Sequence, residues 1–409
     1  MYLPLLRNKN ILYFLLGGGI SRLGDALTGM AFLFLAYDLT GSTVHTTGMA
    51  IVETVPYLLF GLIGGVMADW LSRKPLLIVL DIIRIPLVLS IFVLDHLHLL
   101  TYSHLLIVSF FIQTLGCFFN PTHRAVLPII TDTEERAAAN SFNDTLGRGV
   151  TILSPIISLW LLSYGAIYFF VVDALTYAIS VFCLFQFTEQ IAPVKKSVKG
   201  VFLAIRDFFA WTRQQKAIQT LFVFTFIVVF FNTWVWEVGI LLALNEMTTN
   251  SEELYSILQG VFGGTVIVTN LILPYFIKKM NLKIYVFGSL VWGLGVSYYG
   301  ILYQMEHFFI GIILVGIGLP IASLTRVYLL QALVPEHKLG RAFSSNAFLL
   351  YLSNTLSLLM FGVLVLIFPV QWLMIGSGLS IFMFSLLCLA IFTIRQTKFT
   401  RRFSINPFK

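Results

Sequence analysis

Twelve runs of about 20 mostly apolar residues, separated by short polar breaks, constrain this chain more than any other feature. A run of that length matches the hydrocarbon thickness of a bilayer. Inside it each backbone N–H and C=O needs an internal partner, which makes every run a helix. The runs lie at about 11–37, 46–68, 75–94, 103–120, 138–163 and 166–187, then at 217–244, 254–277, 283–303, 307–331, 342–367 and 370–394. Of 409 residues, 58% are hydrophobic and only 11% charged, less than half the share of about 25% in soluble domains. The spans use nearly the whole length and leave no room for a folded extramembrane domain. The first is too long, and too interrupted by Gly17, Gly18, Gly19, Arg22 and Asp25, for a cleaved signal peptide. The expected class is an all-α membrane protein.

The net charge of +7 does not call for nucleic acid. Lys and Arg gather in alternate connections, near 70–75, 121–136, 189–216, 278–283 and 336–341, and at both termini. The opposite connections carry acids and histidines instead. Such sorting follows the positive-inside rule and predicts a multi-pass protein of the cell membrane with both termini cytoplasmic. Cys117, Cys183 and Cys388 sit in apolar runs, too scattered for a disulfide framework or a CxxC metal site.

The expected organisation is an N-terminal six-helix bundle at 1–188, a cytoplasmic linker at 189–216, a C-terminal six-helix bundle at 217–394 and a basic cytoplasmic tail at 395–409. In the linker, Pro193, Lys195, Lys196 and Lys199 lead into Val198, Phe202, Ile205 and Phe209, an apolar stripe at helical spacing with Arg206, Asp207 and Arg213 beside it. That pattern predicts an amphipathic helix on the inner leaflet. The halves echo one another weakly. Arg124 and Pro128 followed by Glu135-Arg136-Ala137 parallel Arg326 and Pro335 followed by Gly340-Arg341-Ala342. Paired six-span repeats with a midplane cavity are a transporter architecture.

The second and third spans are joined by Gly65-Val66-Met67-Ala68-Asp69-Trp70-Leu71-Ser72-Arg73-Lys74. This resembles the loop signature of the major facilitator superfamily, Gly-x-x-x-Asp-Arg-x-Gly-Arg-Arg/Lys. Trp70 and Ser72 depart from it, removing one ion-pair partner and a glycine turn. Gly65 permits close helix approach, and Asp69 can pair with a cation across the cytoplasmic gap; a purely topogenic basic turn is the alternative. Ser154-Pro155-Ile156-Ile157-Ser158 resembles a worn form of the Gly-Pro-x-x-Gly signature of family exporters. Ser21-Arg22-Leu23-Gly24-Asp25, Leu39-Thr40-Gly41-Ser42, Asn120-Pro121-Thr122 and Asp173-Ala174-Leu175-Thr176 look like the macrolide-efflux and enterobactin-exporter branch. The resemblance implies the major facilitator fold and a proton-driven exporter of amphiphilic small molecules such as drugs or siderophores, with protons, substrate and lipid as partners, no cofactor and a monomeric state.

A charge at the bilayer centre costs about 2.5 to 3.5 kcal/mol on insertion scales, so each deep ionisable residue needs a partner or an aqueous cavity. Arg22 and Asp25, Asp81 and Arg84, and Asp144 and Arg148 are pairs three or four apart on one helical face. Asp25 stands about 22 Å along the first span and Glu53 about 24 Å above Asp69 on the second, at similar depth. A carboxylate neutral in one state and charged in another is what proton coupling requires. Asp25, Glu53 and Arg22 are therefore the proton or substrate candidates, with satisfied interhelical bonds as the alternative. Asp144 and Arg148 form a cavity charge pair, Glu237 marks an exit path beside Trp234 and Trp236, and Asp173 reads as structural. Gly65, Asp69, Arg73, Lys74, Asp81 and Arg84 compose a cytoplasmic gate. Ser353 and Asn354 suit close packing or a polar wall of the eleventh span.

Intramembrane enzyme chemistry would need a His, Ser-His or metal cluster within the bilayer. His45, His96, His98, His104, His123, His307 and His337 read as loop or helix-end residues, and neither HExxH nor a Walker motif occurs. The chain is read as a carrier. A same-fold lysolipid flippase, nutrient importer or metal exporter stays open, and a channel fits less well because filter-like repeats are absent.

Overall fold

The computed structural model describes Leu5 and residues 7–132, 134–188, 200–277 and 279–404, without the side chains of 43, 44, 47, 252, 253 and 392–404. The linker residues Pro193, Lys195, Lys196, Val198 and Lys199 lie outside the described residues, as do the last five residues of the tail. Twelve of the described helices are long and apolar enough to cross a membrane.

The first six spans are α1 (Lys9–Thr40), α2 (Thr43–Trp70), α3 (Arg73–His96), α4 (Tyr102–Ile130), α5 (Arg136–Leu162) and α6 (Tyr168–Gln186). A short helix, α7 (Val201–Thr212), precedes α8 (Lys216–Trp234), which runs through a π-turn (Val235–Gly239) into α9 (Ile240–Met247). The last spans are α10 (Ser251–Phe276), α11 (Leu282–Ile301), α12 (Met305–Leu333), α13 (Leu339–Leu364) and α14 (Val370–Ser404). Local chemistry sets the ends. Asn8 caps α1 by accepting from the backbone of Asn10 and Ile11, and Gly41 closes it at a left-handed φ of 61°.

The fourth span departs from expectation. The apolar run ends near Asn120, yet α4 continues to Ile130 through Pro121 and Pro128. Proline breaks helices in water, but a packed bundle tolerates it; at the end of this helix Arg136 Nη2 donates to the last-turn carbonyl Pro128 O at 3.1 Å. His123 and Arg124 therefore stand inside a helix and not in a loop. His123 is buried and stacks on Phe14 at 4.2 Å, so one histidine does lie within a span.

The chain forms two compact units, residues 1–219 with 330–352, and residues 220–329 with 353–409. In the first, two dry apolar clusters lie along the same four helices. One gathers Phe14 and Leu15 of α1, Leu77 of α3, Val126 of α4 and Leu184 of α6. The other gathers Leu27 and Phe32, Val88, Ile112, and Phe169 and Tyr177. The deep charges Asp25, Asp81 and Arg84 fall between them in sequence on each helix. In the second unit α8 and α13 are laced by hydroxyls and an amide: Ser353 Oγ donates to Phe226 O at 2.9 Å, Ser357 Oγ to Phe230 O at 2.6 Å and Thr233 Oγ1 to Asn354 Oδ1 at 2.6 Å. Ser353 and Asn354 thus pack helices together.

Candidate functional site

Between the two apolar clusters of the first unit lies a cavity of about 120 Å³, lined by Asp25, Thr28 and Gly29 of α1, Tyr57 of α2, Arg84 of α3, and Gln113, Gly116 and Asn120 of α4, with Phe32 and Ile112 at its apolar edge. Asp25 is exposed. A carboxylate in the middle of an apolar helix is tolerated when its charge meets a void and a donor. Here the Tyr177 hydroxyl on α6 donates to Asp25 Oδ1 at 2.5 Å.

Arg84 supplies the opposite charge. It stands eleven residues into α3, about 16 Å from Arg73, which is mid-span and not at the span's end. At that depth Arg84 lines the cavity wall. Its guanidinium is fixed on three sides: Asp81 Oδ1 at 3.3 Å, the Phe119 ring at 4.9 Å and the Tyr177 ring at 5.4 Å. Ser180 Oγ donates to the other oxygen of Asp81 at 2.8 Å. The chain Ser180–Asp81–Arg84–Tyr177–Asp25 therefore links α6, α3 and α1 through charge-assisted contacts, and Asp81 is its buried anchor.

Glu53 does not line the cavity. Its Oε1 is buried without a hydrogen-bond partner, 3.9 Å from where a side chain on Gly29 would begin. Gly29 is one helical turn beyond Asp25, so Glu53 meets α1 about one turn from Asp25. Arg22 points to α5, where its Nη1 donates to Asn143 O at 3.3 Å. Asp144 and Arg148 form a 3.8 Å pair, each about a third exposed, outside the cavity lining. Asp173 is fully buried and accepts from Thr28 at 2.7 Å and Thr176 at 3.1 Å. A β-carbon on Gly24 would collide with both Asp173 and Thr176, so glycine there lets α1 lie against α6. Glu237 is exposed on the π-turn of the second unit, next to Trp234, which stacks on Phe361 at 4.7 Å.

A second constellation forms at the end of α2. Asp69, 7% exposed, accepts from Gly340 N at 2.6 Å, Arg341 N at 3.2 Å and Arg341 Nε at 2.7 Å. It thereby caps the start of α13 from another helix, meeting both the unpaired N–H groups and the positive end of the helix dipole. Glycine is required at this crossing: a β-carbon on Gly65 would meet Ser344 Oγ and Gly340 O, and one on Gly340 would meet Gly65 O. Arg73 Nη2 donates to Glu336 O at 2.9 Å. Lys74 instead reaches back to α6, donating to Phe185 O at 3.1 Å and Phe187 O at 2.5 Å. Asn140 of α5 and Gln331 of α12 exchange reciprocal amide hydrogen bonds of 2.6 and 3.1 Å.

Residue patterns did not single out several of these groups. Tyr177 and Tyr57 are tyrosines within apolar runs. Asn120 lies in a noted motif, and its Nδ2 donates to the Tyr57 hydroxyl at 3.1 Å. Arg341 carried a signal only through the repeat of Glu135-Arg136-Ala137 at Gly340-Arg341-Ala342.

The family described as transmembrane secretion effector matches residues 4–409. The chain belongs to that family. As a member of the major facilitator superfamily it is a transporter of small molecules in the bilayer, not an enzyme. The chain is 22% identical to macrolide efflux protein A of Streptococcus pyogenes over 390 residues, 93% of this chain and 95% of that one. It is similar in fold to a bacterial homologue of the iron transporter ferroportin in an outward-facing state, with TM-score 0.76 at 16% identity, covering 92% of this chain and 97% of that one. The human organic anion transporter MFSD10 gives TM-score 0.72 at 12% identity, with 93% and 99% covered. The histidine inside α4 does not reopen the enzyme reading, and among the described residues no cluster of His, Cys, Asp and Glu could hold a metal.

Proposed function

We propose that this transporter is a proton-coupled exporter of amphiphilic small molecules, macrolides or siderophores among them, working by alternating access. It acts as a monomer in a bacterial cell membrane with both termini cytoplasmic, and its two six-helix halves swing about a midplane cavity. The observation that carries the proposal is Asp25. Its carboxylate is exposed at mid-span, bound by Tyr177 and sharing a cavity with Arg84. A proton or a cationic substrate group reaching that cavity changes the charge balance between Asp25 and the immobile Arg84. That shift moves the equilibrium between outward and inward states only as far as proton and substrate bind the two states differently. Glu53, with an oxygen that has no hydrogen-bond partner, is the second proton site. Asp144 and Arg148 border the substrate route, and Glu237 lies on the exit path.

Asp69 and Arg341 act as the cytoplasmic gate, with Gly65, Arg73 and Lys74 as its frame. Closing it joins a carboxylate to an arginine and two helix N–H groups, so opening must break all three contacts together. The similarity to a macrolide efflux protein supports export and amphiphilic cargo.

A second reading, lysolipid transport, draws support from one feature of the second unit. An aromatic cavity of about 210 Å³ there is lined by Phe230, Phe231, Trp234, Met360, Phe361 and Trp372, among others, and would suit an acyl tail.

The test uses purified protein in proteoliposomes. A labelled macrolide should accumulate only under a pH gradient, and a protonophore should abolish the accumulation. Binding that raises Tm follows the ligand concentration over Kd, about 2.7 kcal/mol at a hundredfold excess, so macrolide protection and lysolipid protection can be ranked directly. Flux independent of the gradient, or protection by lysolipid alone, contradicts the exporter reading.

A further inference from the structure

We infer that the outer face of α7 is a binding surface for anionic phospholipid in the leaflet at the Asp69 end of the spans. The helix has two unlike stripes. Ala204, Phe208 and Thr212, four apart, are buried. Phe202, Arg206, Phe209 and Arg213, spaced by four, three and four, are all exposed, Phe202 to 82% and Phe209 to 38%. An isolated twelve-residue helix is marginal in water. This one is held in place by contacts that fix its rotation: Arg341 Nη1 donates to Ala204 O at 3.3 Å, and Lys338 Nζ lies 4.5 Å from the centre of the Trp211 ring. The outward stripe is therefore a built surface.

Its chemistry selects the occupant. Two phenylalanine rings alternate with two arginines at one-turn spacing, at the level where α2 ends and α13 begins. At a bilayer interface the rings enter the acyl boundary and the guanidinium groups sit among the phosphates, which they match with paired donors. The acid of this helix, Asp207, lies off the stripe. A zwitterionic lipid would satisfy the rings but return less to the arginines, so the surface prefers a net negative headgroup.

The consequence reaches the gate, and this part rests on the gate reading above. Arg341 holds Asp69 with its Nε and the α7 backbone with its Nη1. Lipid that seats α7 therefore holds Arg341 in the position that closes on Asp69.

The full-length protein in detergent is equilibrated with equal phosphatidylglycerol and phosphatidylcholine, and retained lipid is counted by native mass spectrometry. Each arginine near an anionic surface is worth about fivefold in binding, so R206Q/R213Q should lower the preference for phosphatidylglycerol about 25-fold. F202S/F209S should lower retention of both lipids alike. In wild type, raising salt should weaken the preference, a result that does not depend on any variant folding. Phosphatidylglycerol retention that is equal in wild type and R206Q/R213Q, or insensitive to salt, would overturn the inference. So would complete displacement by millimolar glycerol phosphate, which would identify a free-anion site. The assay involves no transport. Its failure leaves the gate reading standing, and intact retention beside normal gating in Asp69→Asn would sink the gate reading alone.

Discussion

The Tyr177 hydroxyl donates a 2.5 Å hydrogen bond to Asp25 Oδ1, joining a fully buried side chain of α6 to an exposed carboxylate of α1. The same ring faces the Arg84 guanidinium, so one tyrosine orients both charges of the cavity. Tyr177→Phe keeps the ring and removes the donor. A buried hydrogen bond to a charged group is worth about 1.5 to 3 kcal/mol, so the variant should fold with reduced stability. Gradient-driven flux should fall about tenfold or more. Wild-type flux from Tyr177→Phe in proteoliposomes would remove the tyrosine from the mechanism.

Asp69→Asn takes away the negative charge that meets Arg341 and the start of α13. The closed gate should lose about 1.5 to 3 kcal/mol, and the labelling rate of a cysteine placed at Ser344, in a background without the native cysteines, should rise about tenfold or more. Exchanging the partners as Asp69→Arg with Arg341→Asp should not restore protection. The exchange rebuilds the ion pair but leaves Gly340 N facing a cation. Full rescue by the exchange would show that only the ion pair matters.

Gly65→Ala tests the crossing itself. Its new methyl would meet Ser344 Oγ and Gly340 O, and overpacking of this kind costs about 1 to 3 kcal/mol. Ser344→Ala removes the Oγ but leaves the Ser344 β-carbon and Gly340 O in the way, so the double variant should recover only part of the lost thermal stability. Complete recovery would mean that the backbones can separate freely.

Asn140 and Gln331 satisfy each other's amides, both nearly dry. Removing one partner leaves a buried amide unpaired, at about 1 to 3 kcal/mol, whereas replacing both with leucine is closer to neutral. A double-mutant cycle on thermal unfolding should therefore give a favourable coupling energy of about 0.5 kcal/mol or more. Additive effects would show that the amides act independently.

The twelve spans were legible because hydropathy over a bilayer thickness is a long, redundant signal. So was the importance of Asp69, since a lone acid at the apolar end of a Gly-rich, basic loop calls for a cationic partner. That partner, Arg341, lies 272 residues away, and no local pattern announces such a contact. The extension of α4 past Pro121 was hidden because proline reads as a helix breaker, and only the surrounding helices keep the chain helical beyond it. Nearness to the basic loop suggests a gate role for Arg84, although a rise of about 1.5 Å per residue already carries it to mid-span. Tyr177 gave no signal, because a hydroxyl in an apolar run becomes informative only once its acceptor on another helix is known.

The central claim is that Asp25 couples transport to protons. Proteoliposomes carrying Asp25→Asn should be compared with wild type for two readouts: accumulation of a labelled macrolide under a pH gradient, and exchange of that macrolide across the membrane at equal pH. Asparagine keeps the size of the side chain and can still accept from Tyr177, so exchange should persist while gradient-driven accumulation is lost. Accumulation at the wild-type level in Asp25→Asn would contradict the account.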